Sequence, residues 1–380
     1  MAIPGMQDET FSEQPIEPDL PIIDSHHHLW FLPNETLSAL ESQNTIFATS
    51  MASVFRKYRR YLFDEFSSDV HCGHNIRATI FIDAHAMYRA TGPETMRSVG
   101  EIEFVNGVAA MSASGLFGDV RLCASIVGGV DLRMGDAVPE ILNAHMLAGG
   151  GRYRGVRGQA IVHDTDAHIL SSKSSAGVML DPAFRCGFKW LREFDLSFDV
   201  FLFEPQLPEL LDLARAFPET RIILNHMGSP LGVGRFDGKL DERFPIWRDN
   251  IAMLSQCENV AVKLGGLGTP FAGLPSSRRR RWSTSSELAS EWRPYIETCI
   301  EQFGPKRCMF ESNSPVDKAV GSYGTIWNAF KIIASGASDS EKKQLFYLTA
   351  ENLYKLNTDN IYTNSTRQSY TNSSETSLNS

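Results

Sequence analysis

The chain has 380 residues, 45 acidic and 36 basic, for a formal net charge of −9. Hydrophobic residues make up 42% and charged residues 21%, the balance of a globular chain with ample core material rather than a disordered one. The acidic balance speaks against nucleic-acid binding, which needs a basic footprint, and no run approaches the roughly 18 apolar residues of a membrane span.

Residues 1–20 form a polar lead-in rich in Pro and Glu. It lacks the basic and apolar regions of a secretory signal, so a cytoplasmic location is expected. Eight short apolar runs follow, at 21–24, 78–84, 121–127, 153–157, 196–203, 221–225, 259–265 and 307–312. They read as parallel strands covered on both faces, with 153–157 carrying the weakest signal. Helical spacing lies between them. Residues 208–217 place Leu210, Leu211, Leu213 and Phe217 near one stripe, 287–304 end at a capping Gly304, and 338–356 open on a Ser/Asp cap and close the domain. Residues 357–380, dominated by Asn, Ser and Thr, predict a disordered tail. The six cysteines are scattered without a C-x-x-C pair and read as free thiols.

Eight strands alternating with helices over 21–356, with no linker-like break, predict a single (β/α)8 barrel with inserted loops. The rival is a doubly wound open sheet, which carries a Gly-rich phosphate loop after its first strand. Here that strand runs into Asp24-Ser25-His26-His27-His28 instead. Barrel enzymes keep their chemistry at such C-terminal strand ends.

In an extended strand end, His26 and His28 share a face, able to bind one divalent metal or polarise one carbonyl. Asp24 has the same parity and could orient a ring. His226 sits where strand six meets its loop, as a catalytic group or a satisfied core histidine. Glu311 and Asn313 share parity at the mouth of strand eight, and a carboxylate on so apolar a strand needs a partner or a solvated pocket. Lys263, unusual within an apolar strand, is either a substrate contact or half of a barrel-bottom ion pair. His85 and Tyr88, just past strand two, are candidates for the same mouth. Arg278 to Arg281 form a charge run after strand seven, read as solvated or as a gate that attracts acidic substrates.

Asp24-x-His26-x-His28, Gly155-Val156-Arg157, Asn225-His226-Met227-Gly228, Val262-Lys263-Leu264-Gly265-Gly266 and Glu311-Ser312-Asn313-Ser314-Pro315 come in the order of the amidohydrolase-related superfamily. The chain resembles most its branch of 2-pyrone-4,6-dicarboxylate hydrolase and sugar-lactone lactonases, over roughly residues 20–357. The resemblance implies a barrel that hydrolyses a lactone or amide, although some relatives decarboxylate aromatic or muconate-type acids. It also implies that Arg157 grips a substrate carboxylate bidentately. Two positions depart from the family pattern. Glu204 stands where a strand-five histidine is usual, and the strand-eight aspartate is replaced by Asn313, an amide that cannot take a proton from water.

The resulting expectation is a hydrolase of a lactone or related cyclic ester of a small aromatic-derived or polyketide-like acid. His26, His28 and His226 polarise the carbonyl, and Glu204 activates water with Glu311 and Asp317 in reserve. Arg157, His85, Tyr88, Lys263 and Asp317 line the substrate. No cofactor is expected. The alternative is one zinc or manganese ion at His26, His28 and Glu204. A decarboxylase on the same barrel and a non-catalytic ligand-binding barrel are the other readings. The partner is a small acidic molecule, and a homo-oligomer is compatible with the sequence.

Overall fold

The computed structural model describes residues 13–43, 45–158 and 177–356. Eight parallel strands run in sequence order around one sheet: β1 (Ile22–His27), β2 (Ile76–Ile82), β3 (Arg121–Val130), β4 (Tyr153–Gly158), β5 (Ser197–Val200), β6 (Ile222–Leu224), β7 (Val260–Leu264) and β8 (Cys308–Phe310). Helices fill the connections, as parallel crossovers require. The seam between β8 and β1 closes beyond the ladder. His27 bridges Ser314, His28 N donates to Ser314 O at 2.8 Å, and Ser25 Oγ donates to Phe310 O at 2.8 Å. This is the predicted (β/α)8 barrel.

Alternation along the strands builds two cores. Ile23, Ile80, Ile82, Val127, Ile223, Ala261 and Met309 turn inward and meet Tyr347, Ala350 and Tyr354 from the C-terminal helical segment, which plugs one end. Their neighbours Ile22, Phe81, Ile126, Val156, Leu224, Val262 and Phe310 pack outward against the helices. Strict alternation from Ile23 would aim His27 inward. A register shift between Asp24 and His27 reverses the parity. His27 therefore stacks outward on Phe66 at 4.0 Å and meets Thr79 Oγ1 at 2.9 Å, while His26 and His28 face the mouth.

Two local findings differ from the expected pattern. The segment 338–356 is not one regular helix. Asp339–Lys343 is followed by a widened, π-type turn over Gln344–Leu348 before helix resumes at Thr349–Leu353. The turn carries Leu345, Phe346 and Tyr347 into the core. The lead-in is fastened where it is described. Ser285 N donates to Glu13 Oε1 at 2.9 Å, Ile16 N to Asn328 Oδ1 at 2.8 Å, and Lys331 Nζ to Glu17 O at 2.8 Å. The expected disordered tail, 357–380, lies outside the described residues. No helix among those described is long and apolar enough to cross a membrane.

Candidate active site

Three histidines and one glutamate converge at the C-terminal ends of β1, β6 and β8. Glu311 Oε2 lies 3.0 Å from His26 Nδ1, and Glu311 Oε1 lies 2.7 Å from His226 Nδ1 and 3.1 Å from the His226 backbone N. His26 Nε2 and His28 Nε2 are 3.1 Å apart. All four side chains are buried. His226 holds a left-handed backbone (φ 55) in the turn after β6. The Gly265-Gly266 pair makes room for this cluster. A Cβ on Gly266 would stand 2.3 Å from His226 Cγ, and one on Gly265 would stand 2.5 Å from Glu311 Cγ.

Counting protons around His26 exposes a deficit. His28 Nδ1 faces the Ile82 carbonyl at 2.8 Å, and a carbonyl only accepts, so that nitrogen carries the hydrogen. His28 Nε2 then offers its lone pair to His26 Nε2, which must donate. His26 Nδ1 is left presenting a lone pair to Glu311 Oε2, and neither atom has an aligned hydrogen bond. Two acceptors in contact require an added proton or a cation. Burial, with Lys263 and His226 adding to it, holds His26 well below the usual imidazole range, so a proton there is disfavoured. His26, His226 and Glu311 each offer a ligand atom, all within 4.8 Å of one another. Two imidazoles and a carboxylate are a donor set that zinc accepts.

Asp24 does not orient a ring of this cluster. It takes Ser312 N at 2.9 Å, Ser312 Oγ at 2.6 Å and Tyr323 OH at 3.0 Å, tying the β8 loop to β1. Asn313, left-handed at φ 48, donates Nδ2 to Asp317 Oδ1 at 2.8 Å. Burial pushes Asp317 up to about 8. Arg157 reaches from β4 across the mouth. Its Nη1 donates to Asp83 O at 2.9 Å, and its guanidinium lies 5.1 Å over Phe201, whose ring is 5.7 Å from His226. His85 and Tyr88 gather around Asp83, at 2.9 Å each.

Two expected residues are engaged elsewhere. Glu204 is buried but does not join the histidines. Both its oxygens accept from Arg243, at 2.6 Å and 2.6 Å, because the turn after β5 directs it toward the helix Leu240–Ser255. Lys263 faces Asp199 at 2.9 Å inside the barrel, both fully buried, with the Tyr354 hydroxyl also on Asp199. The arginine run is largely paired, Arg278 with Asp237, Arg279 with Glu291 and Arg281 with Glu287. Sequence reasoning missed Asp83 and Glu101. Asp83 ends an apolar strand as Glu311 does, which is a usable signal, whereas Glu101 lies within a helix and carries none.

The amidohydrolase family model matches residues 23–356, and the chain belongs to that family. It is 33% identical over 330 residues to the uncharacterized protein y4mH of Sinorhizobium fredii, covering 87% of this chain and 96% of that protein. It is 29% identical over 213 residues to an L-fucono-1,5-lactonase of Burkholderia multivorans, covering 55% of this chain and 63% of that enzyme. A crystal structure of a Burkholderia multivorans amidohydrolase with bound HEPES superposes with a TM-score of 0.66 at 26% identity, covering 88% of this chain and 99% of that one. A second crystal form of such an amidohydrolase holds zinc (TM-score 0.65, 24% identity, the same coverage of each chain). A 5-carboxyvanillate decarboxylase from Novosphingobium aromaticivorans, complexed with manganese, shares the fold at 14% identity and TM-score 0.55, covering 90% of this chain and 97% of that one. The fold and family make this chain an amidohydrolase-type hydrolase.

These findings correct the expectation of a site without a cofactor. A buried His-His-Glu ligand set is present, and similar structures hold zinc and manganese. The ligand set expected in the alternative, His26, His28 and Glu204, is corrected as well. Glu204 is paired with Arg243, and the carboxylate that completes the cluster is Glu311.

Proposed function

We propose that this enzyme hydrolyses a lactone or related cyclic ester of a small carboxylic acid. The observation that carries the reading is the convergence of His26, His28, His226 and Glu311 at the barrel mouth beside the Arg157 guanidinium. The similarity to L-fucono-1,5-lactonases supports the ring ester, and Arg157 supports an acidic substituent that it binds bidentately.

His26, His226 and Glu311 would hold a divalent ion. Such an ion polarises a carbonyl and lowers the pKa of water. Glu311 Oε1 fixes the His226 ring, and its Oε2 faces the lone pair of His26 Nδ1 at 3.0 Å. His28, its Nδ1 anchored on Ile82 O, sets the orientation of His26. Asn313 donates a hydrogen bond to Asp317 and does not take the transferred proton. Asp317, at about 8, takes in its ionised form, populated as pH rises toward 8, the role of proton acceptor from water that Glu204, committed to Arg243, leaves open.

The test is a panel of sugar lactones and aromatic-derived lactone acids followed by proton release, with elemental analysis of the same sample. Ring opening that falls by about 10²–10⁴ in kcat in Glu311→Gln supports the reading. Release of carbon dioxide without ring opening would move the enzyme to the decarboxylases, and tight binding without product would leave a ligand-binding barrel.

A further inference from the structure

A second buried carboxylate cluster lies beside the histidines, one residue past the Ile82 carbonyl that anchors His28, and the hydrolytic scheme above does not use it. Asp83, directly after β2, is buried, and so is Glu101, in the helix Val99–Ala113. Glu101 Oε1 accepts from Ala84 N at 3.1 Å and Ala86 N at 2.8 Å. The turn wraps around that oxygen with His85 at φ 57 and Met87 at φ 54. Left-handed backbone at non-glycine residues is uncommon and persists where the surroundings enforce it. Asp83 accepts from Tyr88 OH through Oδ1 and faces His85 Nδ1 through Oδ2. A Cβ at Gly129 would stand 2.6 Å from Asp83 Oδ1, so the glycine on β3 leaves room for the carboxylate.

His85 differs from the other histidines of the mouth. Its side chain is 61% exposed, and its ring stacks on Tyr88 with centroids 5.8 Å apart. Nδ1 lies within ion-pair distance of Asp83 Oδ2, at 2.9 Å, so Nε2 is the nitrogen left for another molecule. Arg157 joins this cluster to the first, since it donates to Asp83 O and lies over Phe201, the neighbour of His226.

We propose that Glu101, Asp83 and His85 form a second proton-transfer centre, in which His85 Nε2 protonates the leaving oxygen as the ring ester opens. The inference rests on the hydrolase reading above. Water adds to the carbonyl carbon and gives its proton to the acceptor on the strand-eight side. The bond from that carbon to the ring oxygen breaks, and the oxygen keeps the electron pair. It receives the proton of His85 Nε2, exposed His85 regains one from solvent, and the strand-eight acceptor returns its own to solvent. The sum is ester plus water giving hydroxy acid.

The charges around His85 support this assignment. Burial first, then the charge of Asp83, hold Glu101 well above the carboxylate range, so it keeps its proton and donates to Asp83. Burial opposes ionisation of Asp83, but His85, the Glu101 hydrogen bond and Arg157 outweigh it and keep Asp83 anionic. The Asp83 charge raises His85 against partial desolvation and the nearby Arg157 cation. Behind Asp83 stand His145, which burial keeps neutral down to about 4, and the Tyr153 phenol, which burial pushes up. Neither adds a competing charge at neutral pH.

His85→Asn retains an N–H for Asp83 and lacks Nε2. Hydrolysis of an alkyl lactone, whose alkoxide must be protonated, should fall by about 10²–10⁴ in kcat. Hydrolysis of an aryl ester, whose phenolate leaves unaided, should change by less than about threefold. The loss of kcat/KM toward high pH in the parent enzyme should flatten in the variant. Equal losses on both ester types would overturn the proposal, because a merely structural role does not distinguish leaving groups. Independently of turnover, nitrogen NMR of the histidines in the intact protein should show His85 titrating above 6.5 and lower in Asp83→Asn, while Glu101→Gln, which keeps a neutral donor toward Asp83, leaves it near the parent value. A midpoint that Asp83→Asn leaves unmoved overturns the relay. If no ester is turned over, the hydrolase reading and the leaving-group role fall together, and the NMR midpoint decides whether the relay exists.

Discussion

Glu204→Gln keeps the shape of a side chain whose two oxygens both accept from Arg243, so it tests that pair cleanly. Removing one partner of a buried ion pair costs roughly 3–5 kcal/mol. Arg243 keeps 24% of its side-chain surface, which places the expected loss at the lower end. The thermal midpoint should fall while kcat stays within about threefold, because general-base loss would instead reach about 10²–10⁴. Asp317 gives a prediction with the opposite readout. Its folded carboxyl lies at about 8 against an ordinary 3.8, so between those values the folded state binds more protons than the unfolded one. The protonated carboxyl therefore stabilises at low pH, and that contribution is lost as pH rises toward 8. Thermal unfolding from pH 4 to 9 should show this decline in the parent protein and a flatter profile in Asp317→Asn. A decline of equal size in both would remove Asp317 as its source.

At the scale of elements, the turn after β7 is as important as the strands. Gly266 has φ 72, and a Cβ there would strike His226. Gly266→Ala should therefore displace the His226 ring and lower kcat by more than about tenfold, with about 1–3 kcal/mol of backbone strain. Crystallography of the variant together with its kinetics checks both parts. An unchanged His226 with unchanged rates would show that the loop yields instead. The strands themselves were legible because buried parallel strands are short apolar runs between helical spacings, and even 153–157 forms β4. The shift inside β1 was not legible. Plain alternation makes Asp24 a neighbour of His26, whereas the irregularity turns Asp24 toward Ser312 and Tyr323. The widened turn at Gln344–Leu348 escaped for a similar reason, because the hydrophobic spacing of 338–356 matches an uninterrupted helix.

The whole barrel depends on what closes its seam and its two ends. Deleting residues 1–17 removes the carbonyl of Glu17 from Lys331 and the Glu13 and Ile16 partners of Ser285 and Asn328. Lys331 is buried and keeps His74 Nδ1 at 2.9 Å, so it loses one of two partners, and a buried donor left unpaired costs about 1–3 kcal/mol. The truncated protein should melt several degrees lower with its kcat retained, since none of these groups belongs to the mouth. Loss of kcat at temperatures where the truncated protein remains folded would contradict that separation. The metal is the other global property. Elemental analysis should find about one divalent ion per chain, and His226→Ala or Glu311→Gln should lose it. Chelation should abolish turnover, and added zinc or manganese should restore it. Full activity in a chelated, metal-free sample would sink the assignment.

Local signals in the sequence sufficed for the barrel and for most of the histidine cluster. Apolar runs at strand spacing, helices between them and histidines at strand ends are all readable within a few residues of each other. They led to His26, His28, His226, Glu311 and the strand carrying Arg157. What they could not specify is which charged groups become partners. Glu204 and Glu311 both follow apolar strands, yet one meets Arg243 on a helix 39 residues away and the other meets His226 from 85 residues away. Asp83 and Glu101 likewise become a pair only when a helix packs behind a turn. The choice between an ion pair, a ligand set and a proton relay rests on distances and burial created by closing the ring. Electrostatic strength and desolvation depend steeply on both, so that choice belonged to the tertiary structure.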